Sequence, residues 1–224
     1  MNNSINKFTI LCERCTGSHF LQYAVQDNFN LKYYKKNKHF FGHTDNIDYI
    51  NTDDMIYFCL VRNPIEWIDS FFKRLHNVPP ENKKDIYSFT HNEFYSIYEE
   101  GDQITKEIME DRHIKTNERY KNILELRETK QDYILNTIPN KVKHFMLIKY
   151  EDLRDDYENT LNKIKDNFNL IKTNEYKEYK KIEKYKGSFN ALYYKKPILI
   201  NDDIQNYIKE NINIEQEKLL GYLL

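Results

Sequence analysis

The sequence predicts an α/β fold, a single domain over residues 1–224 with a central, mostly parallel sheet flanked by helices. Two uncharged runs, residues 8–11 and 55–61, read as strands covered on both faces, because parallel strands are apolar throughout rather than alternating. Residues 142–148, apolar apart from Lys143 and His144, read as a third buried strand. Each run leads into a stretch with helical spacing, and strand followed by helix is the unit that builds parallel sheets.

The first strand and its sequel organise the rest. Residues 8–11 lead into Cys12-Glu13-Arg14-Cys15-Thr16-Gly17-Ser18-His19, a turn with a single glycine. Phe20, Leu21, Ala24 and Val25 follow with the spacing of one apolar helix face, ending near residues 28–30. Strand, small-residue turn and helix together make a cradle for phosphate. The N–H groups of the first helical turn converge, the helix dipole adds partial positive charge, and Gly17 lets a ligand approach the backbone. Thr16 and Ser18 add hydroxyl donors and Arg14 a full charge. The same turn also occurs as an ordinary connection in α/β proteins. The nucleoside-triphosphatase loop needs a second glycine followed by lysine, and neither is here, which disfavours ATP or GTP hydrolysis.

Residues 31–34 can form a second short strand, followed by Lys35-Lys36-Asn37-Lys38-His39-Phe40-Phe41-Gly42-His43. This basic, aromatic segment lies where a parallel strand ends, and ligands sit at such ends in open α/β sheets. A solvated lysine run over tucked-in aromatic residues is the plain alternative. The strand at 55–61 runs into Arg62-Asn63-Pro64, with Pro64 suited to a first helical turn and Ser70 two turns along. An arginine fork and a hydroxyl on one spot suit a phosphate.

Prolines 79 and 80 with Lys83 and Lys84 mark a loop, after which residues 89–138 carry a helical pattern with long charged faces, a helical insertion of about 80–138. The strand at 142–148 closes on Lys149-Tyr150-Glu151-Asp152-Leu153, and residues 157–168 read as an amphipathic helix. Residues 174–186 lack periodicity, and 184–188 read as a loop. Residues 202–220 read as one final helix stopped by Gly221.

Composition narrows the classes. With 34 basic and 35 acidic residues the net charge is -1, so no global field draws the chain to nucleic acid. There is no apolar run of membrane-spanning length and the first residues are polar, so a soluble, cytoplasmic protein without a membrane span is expected. Three cysteines do not make a disulfide framework. Cys12 and Cys15 form a C-x-x-C, but Cys59 lies in an apolar strand, and a tetrahedral zinc would have to recruit His19, His39 or His43. No metal is expected.

Taken together, these stretches resemble the sulfotransferases that use 3′-phosphoadenosine-5′-phosphosulfate (PAPS). Glu13-Arg14-Cys15-Thr16-Gly17-Ser18-His19-Phe20 resembles the family's 5′-phosphosulfate loop, and Val61-Arg62-Asn63-Pro64 with Ser70 its 3′-phosphate element. Lys149-Tyr150-Glu151-Asp152-Leu153 is similar to the family's Tyr-Glu-Asp-Leu stretch, and Lys38-His39-Phe40-Phe41-Gly42 to the Lys-His segment of a microbial and viral branch. Two features depart from the pattern. Cys15 stands where a basic residue is usual, and the C-terminal Arg-Lys-Gly loop has only Lys186-Gly187 as a counterpart.

The resemblance implies a P-loop-nucleotide-kinase-like sulfotransferase fold. It also implies transfer of a sulfuryl group from PAPS to an acceptor hydroxyl of a small molecule or carbohydrate, with 3′-phosphoadenosine-5′-phosphate (PAP) as product. Arg14, Cys15, Thr16, Gly17, Ser18 and His19 would hold the 5′-phosphosulfate; Arg62 and Ser70, with Lys186 and Gly187, the 3′-phosphate; and Tyr150 would lie at the adenine. His39 or His43 would be the base, with Lys38 stabilising the bridging oxygen. Tyr33, Tyr34, Phe40, Phe41, Trp67 and His76 are candidates for an acceptor pocket or for core. The acceptor and the oligomeric state are not legible. A nucleotide or nucleoside kinase, or a catalytically inactive nucleotide-binding protein, are the competing readings.

Overall fold

The computed structural model describes residues 5–35, 38–43, 52–100, 103–173, 184–185, 188–189 and 196–223. Along the chain run β1 (Lys7–Leu11), α1 (Ser18–Asn28), β2 (Lys32–Tyr33), β3 (Met55–Val61), α2 (Pro64–Phe72), α3 (Ile86–His91), β4 (Ile97–Glu100) and β5 (Gln103–Glu107). They are followed by α4 (Ile123–Asp132), α5 (Ile138–Lys141), β6 (His144–Lys149), α6 (Tyr150–Asp155), α7 (Tyr157–Phe168), β7 (Lys184–Tyr185), β8 (Ser188–Phe189), α8 (Asp202–Asn211) and α9 (Ile214–Leu219). Contacts divide the chain into two compact units. The first holds residues 1–38, 46–62 and 138–197, the second residues 39–45, 63–137 and 198–224.

The first unit is an α/β layer on a four-stranded, all-parallel sheet of order β2-β1-β3-β6. Phe8, Ile10, Ile56, Phe58, Leu60 and Ile148 form one apolar cluster with Phe20, Leu21, Ala24 and Val25 of α1 and Leu161, Ile164 and Phe168 of α7. The alternate residues Leu11, Tyr57, Cys59 and Val61 are buried as well. Burial on both faces is why the sequence of these strands shows no alternation. From β1 the chain crosses to β2 on one side and returns to β3 on the other. The order of the sheet therefore reverses between β1 and β3.

The second unit is mainly helical. Asn63 caps α2, its side-chain oxygen accepting the N–H groups of Ile65 and Glu66, with Pro64 in the first turn. Phe71 of α2 meets Phe89 at 5.3 Å between ring centres and Phe94 at 6.4 Å, next to the fully buried Trp67.

Here the expectation of continuous helix over 89–138 is overturned. α3 stops at His91, and β4 and β5 form an antiparallel hairpin with a bulge at Tyr98 and Glu99. Glu100 faces Gln103, so two residues, Gly101 and Asp102 in the sequence, join the strands. A Gly-Asp pair between runs rich in isoleucine, tyrosine and threonine is a hairpin signal that the charged residues obscured. Helix resumes only at α4, capped by Asn122, and continues through a wider turn at 133–137 into α5.

The expected single C-terminal helix is likewise two. Ile212 is extended, and the Asn213 side chain accepts the Gln216 N–H to start α9 afresh. Residues 80–83 form one tight turn rather than open loop. Lys184–Tyr185 and Ser188–Phe189 pair antiparallel; Lys186 and Gly187 lie outside the described residues. No helix among the described residues is long and apolar enough to cross a membrane.

Candidate functional site

In the first unit, three strand ends converge on the turn between β1 and α1. At the end of β1, the Cys12 N–H donates to the Lys38 carbonyl at 3.0 Å. Glu13 and Arg14 turn inward. Arg14 is fully buried, with its Nε 3.7 Å from the Glu13 carboxylate. Cys15 (φ 61°) and Gly17 (φ 100°) both take the left-handed conformation, which costs a non-glycine residue on the order of 1 kcal/mol. Left-handed residues beside a helix start turn successive N–H groups into a concavity suited to anions.

α1 begins at Ser18 on Gly17, with no side-chain cap and no acidic residue in its first turn. By contrast, Asn or Asp side chains cap α2, α3, α4, α8 and α9. The positive end of the α1 dipole is thus not offset by a carboxylate in its own first turn. Thr16 and Ser18 are buried, whereas Cys15, Gly17 and His19 are partly exposed.

Arg62 follows β3 and Tyr150 opens α6 after β6, and the pairing of Val61 with Lys149 sets them side by side. The Arg62 guanidinium stacks 4.4 Å from the centre of the Tyr150 ring, and its Nη1 donates to the Cys15 carbonyl at 3.1 Å. Tyr150 in turn abuts the loop, since a Cβ at position 17 would lie 2.5 Å from its Cδ2. Phe20 meets the same ring edge-on at 6.3 Å, and the Arg154 guanidinium lies 5.5 Å from its centre. Tyr150 is accordingly buried and serves as a buttress beneath the loop. Arg14, Arg62 and Arg154 gather around this loop, Arg14 beside Glu13 and Arg154 paired with Asp155 at 2.6 Å.

Of the other expected site residues, Lys38 belongs to the first unit and Ser70, His39 and His43 to the second. Ser70 is partly exposed on α2. The His43 Nε2 lies 3.0 Å and 3.2 Å from the carbonyls of Arg112 and His113; because carbonyls only accept, this nitrogen carries the proton. His39, partly exposed, follows Lys38 directly, and its carbonyl accepts from Lys130 Nζ at 2.6 Å. Of the aromatic candidates for an acceptor pocket, Trp67 and Phe41 are fully buried core, while Tyr34 is exposed and Tyr33, Phe40 and His76 are partly so.

The thiol of Cys59 is pushed well up by burial and by negative charge at Cys12, so it remains protonated at neutral pH. Among the described residues no group of three or more His, Cys, Asp or Glu side chains could hold a metal ion. Sequence reasoning missed Arg154 and the Lys130 cluster. Arg154 was within reach, since four residues after Tyr150 places it on the same helical face. Lys130 was hidden in a charged stretch that reads as solvated.

Comparison with protein-family models, with curated proteins and with solved structures finds no match to this chain.

Proposed function

We propose that this chain is a PAPS-dependent sulfotransferase, with the parallel sheet and its first loop forming a sulfotransferase variant of the P-loop-nucleotide-kinase-like fold. The observation that carries the reading is Arg62, stacked on Tyr150 and bonded to the Cys15 carbonyl. It sets a guanidinium fork beside a loop with two left-handed residues, at the point where the strand order reverses. Two phosphate grips on one nucleotide require such adjacency.

In this reading the loop from Arg14 to His19 holds the 5′-phosphosulfate through backbone N–H groups and the hydroxyls of Thr16 and Ser18. Arg62 holds the 3′-phosphate, and Tyr150 packs against the loop at Gly17. The acceptor oxygen attacks sulfur in line. Its bond to sulfur forms as the bridging sulfur–oxygen bond breaks, and the electron pair leaves on the 5′-phosphate of PAP. The acceptor proton passes to the His39 imidazole, while Lys38 offsets charge on the bridging oxygen. His43 suits the role of base less, because its Nε2 proton is committed to two carbonyls.

Calorimetric titration with PAP, and separately with ATP plus magnesium, tests the donor site. PAP is expected to bind with one site and ATP–magnesium far more weakly; tight ATP–magnesium binding with no response to PAP overturns the reading. Transfer of labelled sulfate from PAPS to mixed hydroxyl acceptors then tests catalysis.

A further inference from the structure

Within the second unit, a buried ionic cluster grips the backbone next to His39. Lys130 of α4 and Asp111 are both about 1% exposed, and Ser96 is fully buried. Lys130 Nζ donates to Asp111 Oδ1 and, at 2.6 Å, to the His39 carbonyl, while Ser96 Oγ donates to Asp111 Oδ2. The ammonium also lies 5.1 Å from the ring centre of Phe41 and 5.9 Å from that of Phe40. The next three residues after Asp111 hold the other end of the same segment. His43 bonds the carbonyls of Arg112 and His113, and a Cβ at Gly42 would lie 2.5 Å from Ile114 Cδ1. Residues 39–43 are thus laid along 111–114 by separate attachments at 39, 42 and 43.

We propose that Lys130, held by Asp111 and Ser96, is a positioning residue: its charge-assisted bond to the His39 carbonyl fixes the imidazole for proton abstraction. This inference rests on the sulfotransferase reading and adds to it a component outside the nucleotide-binding loop. An ammonium taken out of water is costly unless its donors are satisfied, and here one donor goes to a main-chain carbonyl beside the base rather than to further packing. Lys130 touches no reacting atom in this scheme. Its loss acts through the orientation of His39, and misplacing a catalytic group by about 1 Å costs on the order of a hundredfold in rate.

The test uses the full chain with Lys130→Met and, because a single change strands the buried Asp111, the charge-neutral pair Lys130→Met with Asp111→Leu. Thermal unfolding reports folding, PAP calorimetry the donor site, and labelled-sulfate transfer the kinetics. The folded pair variant is expected to bind PAP within twofold of wild type and keep its KM for PAPS, while kcat falls tenfold or more. A folded pair variant with kcat within threefold of wild type overturns the inference and leaves the sulfotransferase reading standing. So does a fall in PAP affinity that matches the fall in kcat, since the cluster would then act on the donor site. If neither change folds, Ser96→Ala, which removes one bond to Asp111, must lower kcat without changing the KM for PAPS, and unchanged kcat there also overturns the inference. Wild type that neither binds PAP nor transfers sulfate refutes the function itself, and the positioning role with it.

Discussion

Arg62 and Cys15, 47 positions apart, are joined by a single bond in which the guanidinium Nη1 donates to the Cys15 carbonyl at 3.1 Å. The same guanidinium lies over the Tyr150 ring, 4.4 Å from its centre, so one side chain ties the ends of β1, β3 and β6. Replacing Arg62 by alanine is expected to weaken PAP roughly ten- to a hundredfold, the worth of a hydrogen bond to a charged group, about 1.5–3 kcal/mol. Lysine should rescue little, because it lacks the planar fork and the stacking. Calorimetry on the three proteins checks this, and an unchanged dissociation constant removes Arg62 from the site.

Gly17 should not tolerate a side chain. Its φ of 100° is strained for any other residue, and an added Cβ would lie 2.5 Å from the Tyr150 ring. Gly17→Ala is expected to cost about 1–3 kcal/mol in urea unfolding. Combining it with Tyr150→Leu should recover the clash but not the backbone strain.

Alkaline pH should loosen the first unit through Tyr33. Burial, helped by negative charge at Cys12, pushes its hydroxyl up to about 12. A phenol harder to ionise folded than unfolded stabilises the fold while neutral. That contribution is fully present below the unfolded value of about 10 and is lost as pH rises through the folded one. Tyr33→Phe should flatten the fall of the urea midpoint between about pH 10 and 12. An identical profile for both proteins would rule this out.

Thr160 on α7 carries a buried Oγ1 with no hydrogen-bond partner among the described residues. Burying such a hydroxyl costs about 1–3 kcal/mol, so the nearly isosteric Thr160→Val is expected to raise the unfolding midpoint. A lower midpoint would show that the hydroxyl has a partner.

In the second unit, Arg127 pairs with Glu217 of α9 through two bonds, at 2.6 Å and 2.9 Å. Both residues are buried. Glu217→Leu alone leaves a buried guanidinium uncompensated and is expected to cost about 3–5 kcal/mol. Adding Arg127→Met should restore most of it. The measurement is chemical unfolding of the single and double variants.

Much of the first unit was legible because its strands are buried on both faces. An uninterrupted apolar run such as Met55–Val61 has few other destinations, and Pro64 marks the following helix by its missing N–H. The second unit was harder to read. Residues 92–122 carry enough charge at helical spacing to imitate a solvated helix, yet Asn92 is extended and Phe94 pairs with Tyr120 across the segment. That long-range bridge has no local signature. The break at Asn213 was missed for a related reason: asparagine inside a polar stretch looks like surface until its side chain is seen accepting the Gln216 N–H. At the site, the loop and Arg62 were visible as motifs. The burial of Arg14, Lys130 and Tyr150 was not, because which polar side chains are taken out of water is decided by packing partners distant in sequence.

The abutment of Gly17 on the Tyr150 ring makes two distant stretches of chain mechanically continuous. An anion that tightens residues 13–18 presses directly on the start of α6. Amides of residues 149–155 would therefore exchange with deuterium more slowly when the loop is occupied, although no ligand need ever touch them.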